Sequence, residues 1–137
     1  MRDDLSRVKR LKFEGWNGGE GTIEFSFLFG DAFQVYRFVI PPNASIGYHL
    51  QQYGDDVNYV LSGKGEAICE GKKEELYAGV IHVCHRGEHH SIANTGTKDL
   101  ILLSFHVRED ELEKRVRSQF LKDKEKEKKD INPFLFM

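Results

Sequence analysis

The feature that most constrains the fold of this chain is a period-two apolar pattern. In an eight-residue run, every second position is apolar: Ile23, Phe25, Phe27 and Phe29. Because successive side chains of a β-strand point to opposite faces, this pattern predicts a strand with one apolar face. A Gly-Asp pair follows, and residues 33–40 form a second extended segment that ends at two prolines. The two segments predict a β-hairpin.

Six further short segments follow this hairpin, and turns rich in Gly, Asp, Asn and Lys separate them. Many short strands with regular turn signals, and no helical pattern between them, indicate an antiparallel sandwich or barrel. We therefore predict an all-β fold that includes Gly47–Gln51, Val57–Leu61, Gly65–Glu70, Val80–Cys84, Ser91–Asn94 and Leu100–Val107.

The length and composition fit one domain followed by a charged helix. A chain of 137 residues is close to the usual size of one domain, and its ten Phe and five Tyr favour packed strands. The segment Glu109–Asp130 contains no Gly or Pro, and its acidic residues precede the basic ones, which suits a helix dipole. We expect an N-terminal arm over residues 1–17, a barrel over 18–108, and a charged helix with an apolar tail over 109–137.

The end of the chain is apolar in two places. Leu112, Val116 and Phe120 recur at four-residue spacing and predict a narrow apolar stripe on the helix. Residues 131–137 read Ile-Asn-Pro-Phe-Leu-Phe-Met. Two outcomes remain open for this tail: it docks on the barrel or on a second subunit, or it frays.

Charge and cysteine content exclude several classes of function. The formal net charge is −2, so the chain lacks the basic excess that nucleic-acid binding requires. Its two cysteines, Cys69 and Cys84, are too few for a disulfide scaffold, and we expect reduced thiols. The sequence has neither a signal-peptide pattern nor an apolar run of about 18 residues. We therefore predict a cytoplasmic protein without nucleic-acid or membrane partners.

The residues that suggest chemistry are His49, Gln51, Asp56 and His90. His49 and Gln51 are two apart in an extended segment, so their side chains share a face. Asp56 follows a Gly-Asp turn that can bring it back beside them, and His90 follows an Arg-Gly turn. Two imidazoles, a carboxylate and an amide oxygen are a donor set suited to a divalent metal.

These residues lie in two motifs that resemble those of the cupin superfamily. The first family motif is Gly, five residues, His-x-His, three or four residues, Glu, six residues and Gly. Here His49-x-Gln51 is followed at matching spacing by Asp56 and Gly63, whereas Asn43 stands where the family has its first Gly. The chain therefore keeps the spacing of the motif with three substitutions.

The second family motif is Gly, five residues, Pro-x-Gly, two residues, His, three residues and Asn. It is matched throughout its spacing by Gly79, Gly87, His90 and Asn94, with His85 in place of Pro. The resemblance covers about residues 18 to 108. It implies a small single-domain cupin, whose fold is an antiparallel jelly roll or double-stranded β-helix.

The resemblance also implies a function. His49 and His90, and by position Gln51 and Asp56, would hold a divalent transition metal such as Zn, Fe, Ni or Mn. The partners implied are a small-molecule ligand and a second copy of the chain in a homodimer. Similar cupins include decarboxylases, dioxygenases and isomerases, and fold alone does not choose among these reactions.

Two departures from the family fall on the site, because Gln51 replaces a His and Asp56 replaces a Glu. An amide oxygen is a weaker ligand than imidazole, and Asp is one methylene shorter. Three hypotheses therefore remain open. The first is a metal site that binds or acts on a small polar acid or sugar-like molecule; the second is a metal-free binding module or acid/base isomerase; the third is a structural dimer with a vestigial site.

Three further residues are candidates for contact with a substrate. Arg37 lies in a strand rich in Phe and Tyr, where its guanidinium could anchor a carboxylate, although a surface arginine is the alternative. Tyr48 and His106 are the other two, and parity alone does not decide whether they face the barrel interior.

A rival metal cluster would use the residues that precede His90. His82, Cys84, His85 and His89 enrich that segment in metal-binding side chains. His82 and Cys84 share strand parity, but His85 and His89 flank a turn. Cys84 is equally explained as a small buried apolar residue.

Overall fold

The computed structural model describes residues 2–107 and 111–130, and in that part of the chain strands predominate. A short 3-10 turn occupies Trp16–Gly18. The strands and the single described α-helix are β1 Leu11–Glu14, β2 Thr22–Phe29, β3 Phe33–Ile40, β4 Ser45–Leu50, β5 Asp55–Ser62, β6 Lys64–Cys69, β7 Lys72–Tyr77, β8 Ile81–Cys84, β9 His89–Asn94, β10 Leu100–Val107 and α1 Glu111–Asp130.

The strands form two antiparallel sheets. One has six strands in the order β1-β2-β3-β10-β5-β8, and the other has four in the order β4-β9-β6-β7. Their facing sides enclose an apolar core made of Ile23, Phe38, Ile40, Ala44, Ile46, Val60, Ala67, Leu76, Ile92, Leu100 and Leu102. This architecture confirms the predicted all-β fold.

Pattern-based prediction located the apolar strands and missed the polar ones. Residues Thr22–Phe29, Phe33–Ile40 and Leu100–Val107 are strands with the predicted bounds. Strand β7 was not predicted because Lys-Lys-Glu-Glu-Leu-Tyr reads as a charged turn, yet it pairs with β6 along its whole length. Strand β1 comes from the predicted N-terminal arm and pairs with β2.

The predicted helix is present as α1, and two residues of its apolar stripe are exposed. The side chains of Val116 and Phe120 are 63% and 57% exposed. Residues 131–137, and with them the predicted docking of the tail, lie outside the described residues. No helix in the described part of the chain is both long and apolar enough to cross a membrane.

A β-bulge in β4 determines which residues face the barrel interior. Ile46 pairs with Ile92 and His49 pairs with His90, so β4 has one residue more than β9 between these pairs. Because side-chain direction alternates along a strand, the extra residue reverses parity and turns both Ile46 and His49 inward. Without the bulge, the exposed Tyr48 would take the inward position.

Glycine at position 47 allows the 3-10 turn to pack against the bulge. A Cβ atom on Gly47 would lie 2.2 Å from the backbone oxygen of Asn17 and 2.6 Å from the nitrogen of Gly19. Both of these atoms belong to backbone, so the clash cannot be relieved by rotating a side chain. The close approach fixes Gly47, whose carbonyl oxygen contacts His49.

Gly47→Ala should lower the free energy of unfolding by about 3 kcal/mol, because the methyl group forces the 3-10 turn away from β4. Gly96→Ala is the control: its nearest neighbour would be Lys64 Cβ at 3.3 Å, well outside the 2.2 Å clash at Gly47, and the change should stay within about 1 kcal/mol. Urea unfolding of both variants measures the difference. Equal effects would contradict the proposed packing.

Candidate functional site

Two adjoining cavities are lined by residues of both the six-stranded and the four-stranded sheet. The inner cavity has a volume of about 30 Å³, enough for an ion or a water molecule. The outer cavity measures about 790 Å³, a size typical of small-molecule sites. They share the lining residues Trp16, Asn17, His49 and His106, so the inner cavity adjoins the outer one.

The carboxylate of Asp56, which is 5% exposed, lines the inner cavity. Its Oδ2 lies 3.2 Å from His90 Nε2, and its Oδ1 lies 3.0 Å from His106 Nε2. Asp56 and His106 are directly paired between β5 and β10. Burial alone would raise the pKa of Asp56, but the contacts with His106 and His90 outweigh it and hold that pKa well below its ordinary value. The carboxylate is therefore ionised.

His49 presents a neutral imidazole to the same cavity. Its Nδ1 lies 2.7 Å from the carbonyl oxygen of Gly47, so Nδ1 carries the proton and donates it. Burial lowers the pKa of His49, although the bond to Gly47 partly opposes this shift. The ring meets His90 edge to face with centroids 4.7 Å apart. The lone pair of His49 Nε2 is therefore available to a ligand.

Three buried polar atoms of the inner-cavity residues lack a hydrogen-bond partner. They are Asp56 Oδ1, His90 Nε2 and Asn58 Nδ2. The first lies 3.0 Å from His106 Nε2, and the second lies 3.2 Å from Asp56 Oδ2, so both are in ion-pair contact. An unsatisfied buried group costs about 1–3 kcal/mol, so three beside one cavity indicate a ligand position.

Asn58 is a site residue that sequence reasoning missed. Its side chain is 2% exposed, and its Oδ1 accepts a 2.5 Å hydrogen bond from Ser104 Oγ. That bond leaves Nδ2 as an unpaired donor beside Asp56. Strand parity with Asp56 was the available signal, because residues two apart on β5 share a face.

Gln51 does not join the other predicted metal ligands. It lines the outer cavity, where its Nε2 donates to the carbonyl oxygen of Gly54 over 3.0 Å. The inner cavity is lined instead by His49, Asp56, His90 and His106 among its polar residues. His106, which the sequence suggested as a substrate contact, lines the inner cavity beside the other three residues.

The two other predicted substrate residues lie away from both cavities. Arg37 is on the face of β3 opposite to Tyr36 and Phe38 and does not line either cavity. Tyr48 is 53% exposed and stacks on His89, with ring centroids 5.6 Å apart. The structure brings together His49, Asp56, His90 and His106, and separates them from Arg37 and Tyr48.

The rival cluster before His90 is dispersed among different partners. His85 lies 3.3 Å from Asp55, and His89 lies 3.2 Å from Glu70. His82 instead contacts His90 inside the barrel. Cys84 is fully buried, and burial raises the pKa of its thiol to about 12, so it behaves as an unreactive apolar residue.

The donors that line the inner cavity suit a divalent metal, although they do not yet surround one position. Within residues 2–107 and 111–130, no three His, Cys, Asp or Glu side chains already surround one ion position. The chemistry of the donors nevertheless fits, because His49 and His90 have available Nε2 atoms and Asp56 is an ionised carboxylate. Binding would require the carboxylate to exchange its imidazole contacts for the cation.

Comparison with known proteins agrees with this architecture. A family model described as a cupin domain matches residues 36–106 and so spans His49, Asp56, His90 and His106. The oxalate-binding protein of Thermotoga maritima is 30% identical over 105 residues, which are 72% of this chain and 87% of that protein.

Solved structures also match the fold of this chain. A protein described as a predicted oxalate decarboxylase from Thermotoga maritima matches with a TM-score of 0.76 and 29% identity, over 80% of this chain and 100% of that chain. The Cnp3 cupin domain of Schizosaccharomyces pombe matches with a TM-score of 0.67 over 84% of this chain and 78% of its own. Its 20% identity supports the fold alone.

We predict that the hydrogen-bonded pair Asn58 and Ser104 does not make the folded protein more stable than an apolar pair would. Ser104→Ala removes the donor to Asn58 Oδ1 and should lower the free energy of unfolding by about 1–3 kcal/mol. The double variant Asn58→Leu with Ser104→Ala removes both polar partners and should be as stable as the wild type within about 1 kcal/mol, or more stable. Chemical denaturation compares them. A double variant less stable than Ser104→Ala would mean that Asn58 Nδ2 has a partner in the folded protein.

Proposed function

Because the chain belongs to the cupin family, we propose that its inner cavity holds a divalent metal ion that binds a small carboxylic acid of the oxalate type. The observation that carries the proposal is the set of buried atoms beside the inner cavity that lack a hydrogen-bond partner. Two of them, Asp56 Oδ1 and His90 Nε2, suit a cation, and the third, Asn58 Nδ2, suits an anion. A metal with an acid bound to it satisfies both kinds.

The residues that would hold the metal are His49, Asp56, His90 and His106. Three imidazoles and one carboxylate form a mixed nitrogen and oxygen set that suits Zn, Fe, Ni or Mn. His106 would supply the imidazole that this chain lacks at Gln51, where the family motif has a His. Support for this exchange comes from the direct pairing of His106 with Asp56 across β5 and β10.

A small acid would reach this position from the outer cavity. A bound divalent cation would act as a Lewis acid toward the carboxylate of that ligand. Asn58 Nδ2 is the unpaired donor available to a ligand oxygen, and His49 and His106 lie between the two cavities. The name of the Thermotoga maritima relative, an oxalate-binding protein, supports a small dicarboxylate as the ligand.

A metal-free pocket is the second candidate function, and one observation favours it. Asp56 already has an imidazole close to each of its oxygens, so the buried negative charge is balanced without a cation when His90 or His106 is protonated. Such a pocket would bind its acid through imidazolium groups and Asn58. The measurement of metal content separates the two candidates.

A second copy of this chain is the proposed protein partner. The outward sides of the neighbouring strands β5, β8 and β10 are apolar, with Tyr59 paired to both Leu103 and Ile81. Monomeric proteins seldom expose apolar patches larger than a few hundred Å². We call this surface the outer apolar face and define it as Val57, Tyr59, Leu61, Ile81, Val83, Leu103 and Phe105.

His106→Gln should weaken Zn²⁺ binding at least about tenfold, because it removes one imidazole of the proposed set. Gln51→Ala is the matched control and should change the affinity less than about threefold, because Gln51 does not line the inner cavity. Competition with a chromophoric chelator measures both affinities. A larger loss of Zn²⁺ affinity in Gln51→Ala than in His106→Gln would show that Gln51, and not His106, binds the metal.

Oxalate binding should depend on the metal. Titration calorimetry of the Zn²⁺-loaded protein should detect oxalate, whereas protein treated with a chelator should lose at least about 90% of that binding. Equal oxalate binding with and without metal would favour the metal-free pocket. A wild-type protein that takes up neither Zn²⁺, Mn²⁺, Fe²⁺ nor Ni²⁺ would rule out the metal proposal.

Ile81→Lys should convert the proposed dimer to a monomer, because it places a charge in the outer apolar face, where Ile81 is 60% exposed. Tyr77→Lys is the control, since Tyr77 is 54% exposed on the other sheet. Size-exclusion chromatography with light scattering measures the mass. A dimer that survives Ile81→Lys would place the interface elsewhere.

A further inference from the structure

A buried histidine outside the proposed ligand set connects the cavity to the far side of the barrel wall. The His82 side chain is fully buried, and its Nε2 lies 2.9 Å from His90 Nδ1. Its Nδ1 lies 2.9 Å from Glu74 Oε1, and the Glu74 side chain is 43% exposed. Glu74, His82 and His90 lie on the consecutive strands β7, β8 and β9. The three groups form a hydrogen-bonded chain from the surface to the site.

The sequence of hydrogen bonds from Glu74 to His90 determines which ring nitrogens carry protons. An ionised carboxylate can only accept, so His82 Nδ1 carries a proton and donates it to Glu74. A neutral His82 then has a bare Nε2, which accepts from His90 Nδ1. His90 therefore holds a proton on Nδ1. Its Nε2 faces the ionised Asp56 at 3.2 Å, so a proton or a cation has to lie between these two atoms.

We infer that Glu74 and His82 are positioning residues that keep the His90 proton on Nδ1, so that Nε2 is the atom offered to the cation. The position of the proton follows from the hydrogen bonds alone. The effect on metal affinity rests on the proposed function. A bond to the second nitrogen of a ligating histidine fixes its tautomer and ring orientation, and such outer partners contribute to metal affinity.

A purely structural role for His82 explains the arrangement poorly. An apolar side chain would fill a fully buried position of the core without burying polar atoms. Instead, both ring nitrogens of His82 are used, one by Glu74 and one by His90. The neighbouring Glu75 faces the opposite side of β7 and is exposed, so its carboxylate points away from His82.

The test compares three variants with substitutions in strand β7. Glu74→Ala removes the acceptor and should weaken Zn²⁺ binding about 10- to 100-fold in chelator competition. Glu74→Gln keeps an acceptor oxygen and should restore the affinity to within about threefold of the wild type. Glu75→Ala removes the same charge from the exposed face and should leave the affinity unchanged within about threefold.

The second readout is the proton position on His90, observed by ¹⁵N NMR of the metal-free protein. The wild type and Glu74→Gln should show a protonated, hydrogen-bonded Nδ1, whereas Glu74→Ala should show a mixture of tautomers. An unchanged spectrum and affinity in Glu74→Ala, or an equal loss in Glu75→Ala, would overturn the inference. Because the spectrum needs no metal, a wild type with protonated Nδ1 that fails to bind Zn²⁺ would refute the proposed function and leave the positioning role intact.

Discussion

The close contact of the Asp56 carboxylate with two imidazoles is the interaction on which the site depends. An ionised carboxylate that is 5% exposed is costly unless positive charge or donors surround it, and His90 and His106 lie within 3.2 Å. The barrel meets this requirement by pairing β5 with β10, which places Asp56 directly opposite His106. The charge that the fold must balance is also the charge that can attract a cation.

His49 and His90 are oriented by two separate features of the sheets. The bulge in β4 reverses side-chain parity and turns His49 toward His90, and the close approach at Gly47 holds that bulge against the 3-10 turn. On the opposite side, Glu74 and His82 orient His90 from β7 and β8. The inner cavity therefore depends on contacts made by both sheets, and a change in any one of them alters the donors that face Asp56.

The apolar pattern predicted most of the barrel, because period two identifies strands that bury one face. It failed for β7, whose Lys and Glu residues carry no apolar alternation although the backbone pairs fully with β6. For the site, motif spacing identified His49, Asp56 and His90, which all line the inner cavity. It did not identify His82, or Asn58, for which strand parity with Asp56 was the signal. It grouped Gln51 with the ligands, because spacing does not show that β4 ends at Leu50 and that the Gln51 amide bonds to Gly54. Both sides of β10 are apolar, so parity gave no reason to assign His106 to the interior.

The most direct test of the central claim is the anomalous diffraction of crystals grown with Zn²⁺. We predict one strong anomalous peak within coordination distance, about 2.0–2.2 Å, of His49 Nε2, His90 Nε2, His106 Nε2 and an Asp56 oxygen. Gln51 should remain bonded to Gly54, outside the first coordination sphere. A cavity with no peak and Asp56 still in contact with both imidazoles would contradict the account, as would a peak bound by Gln51 in place of His106.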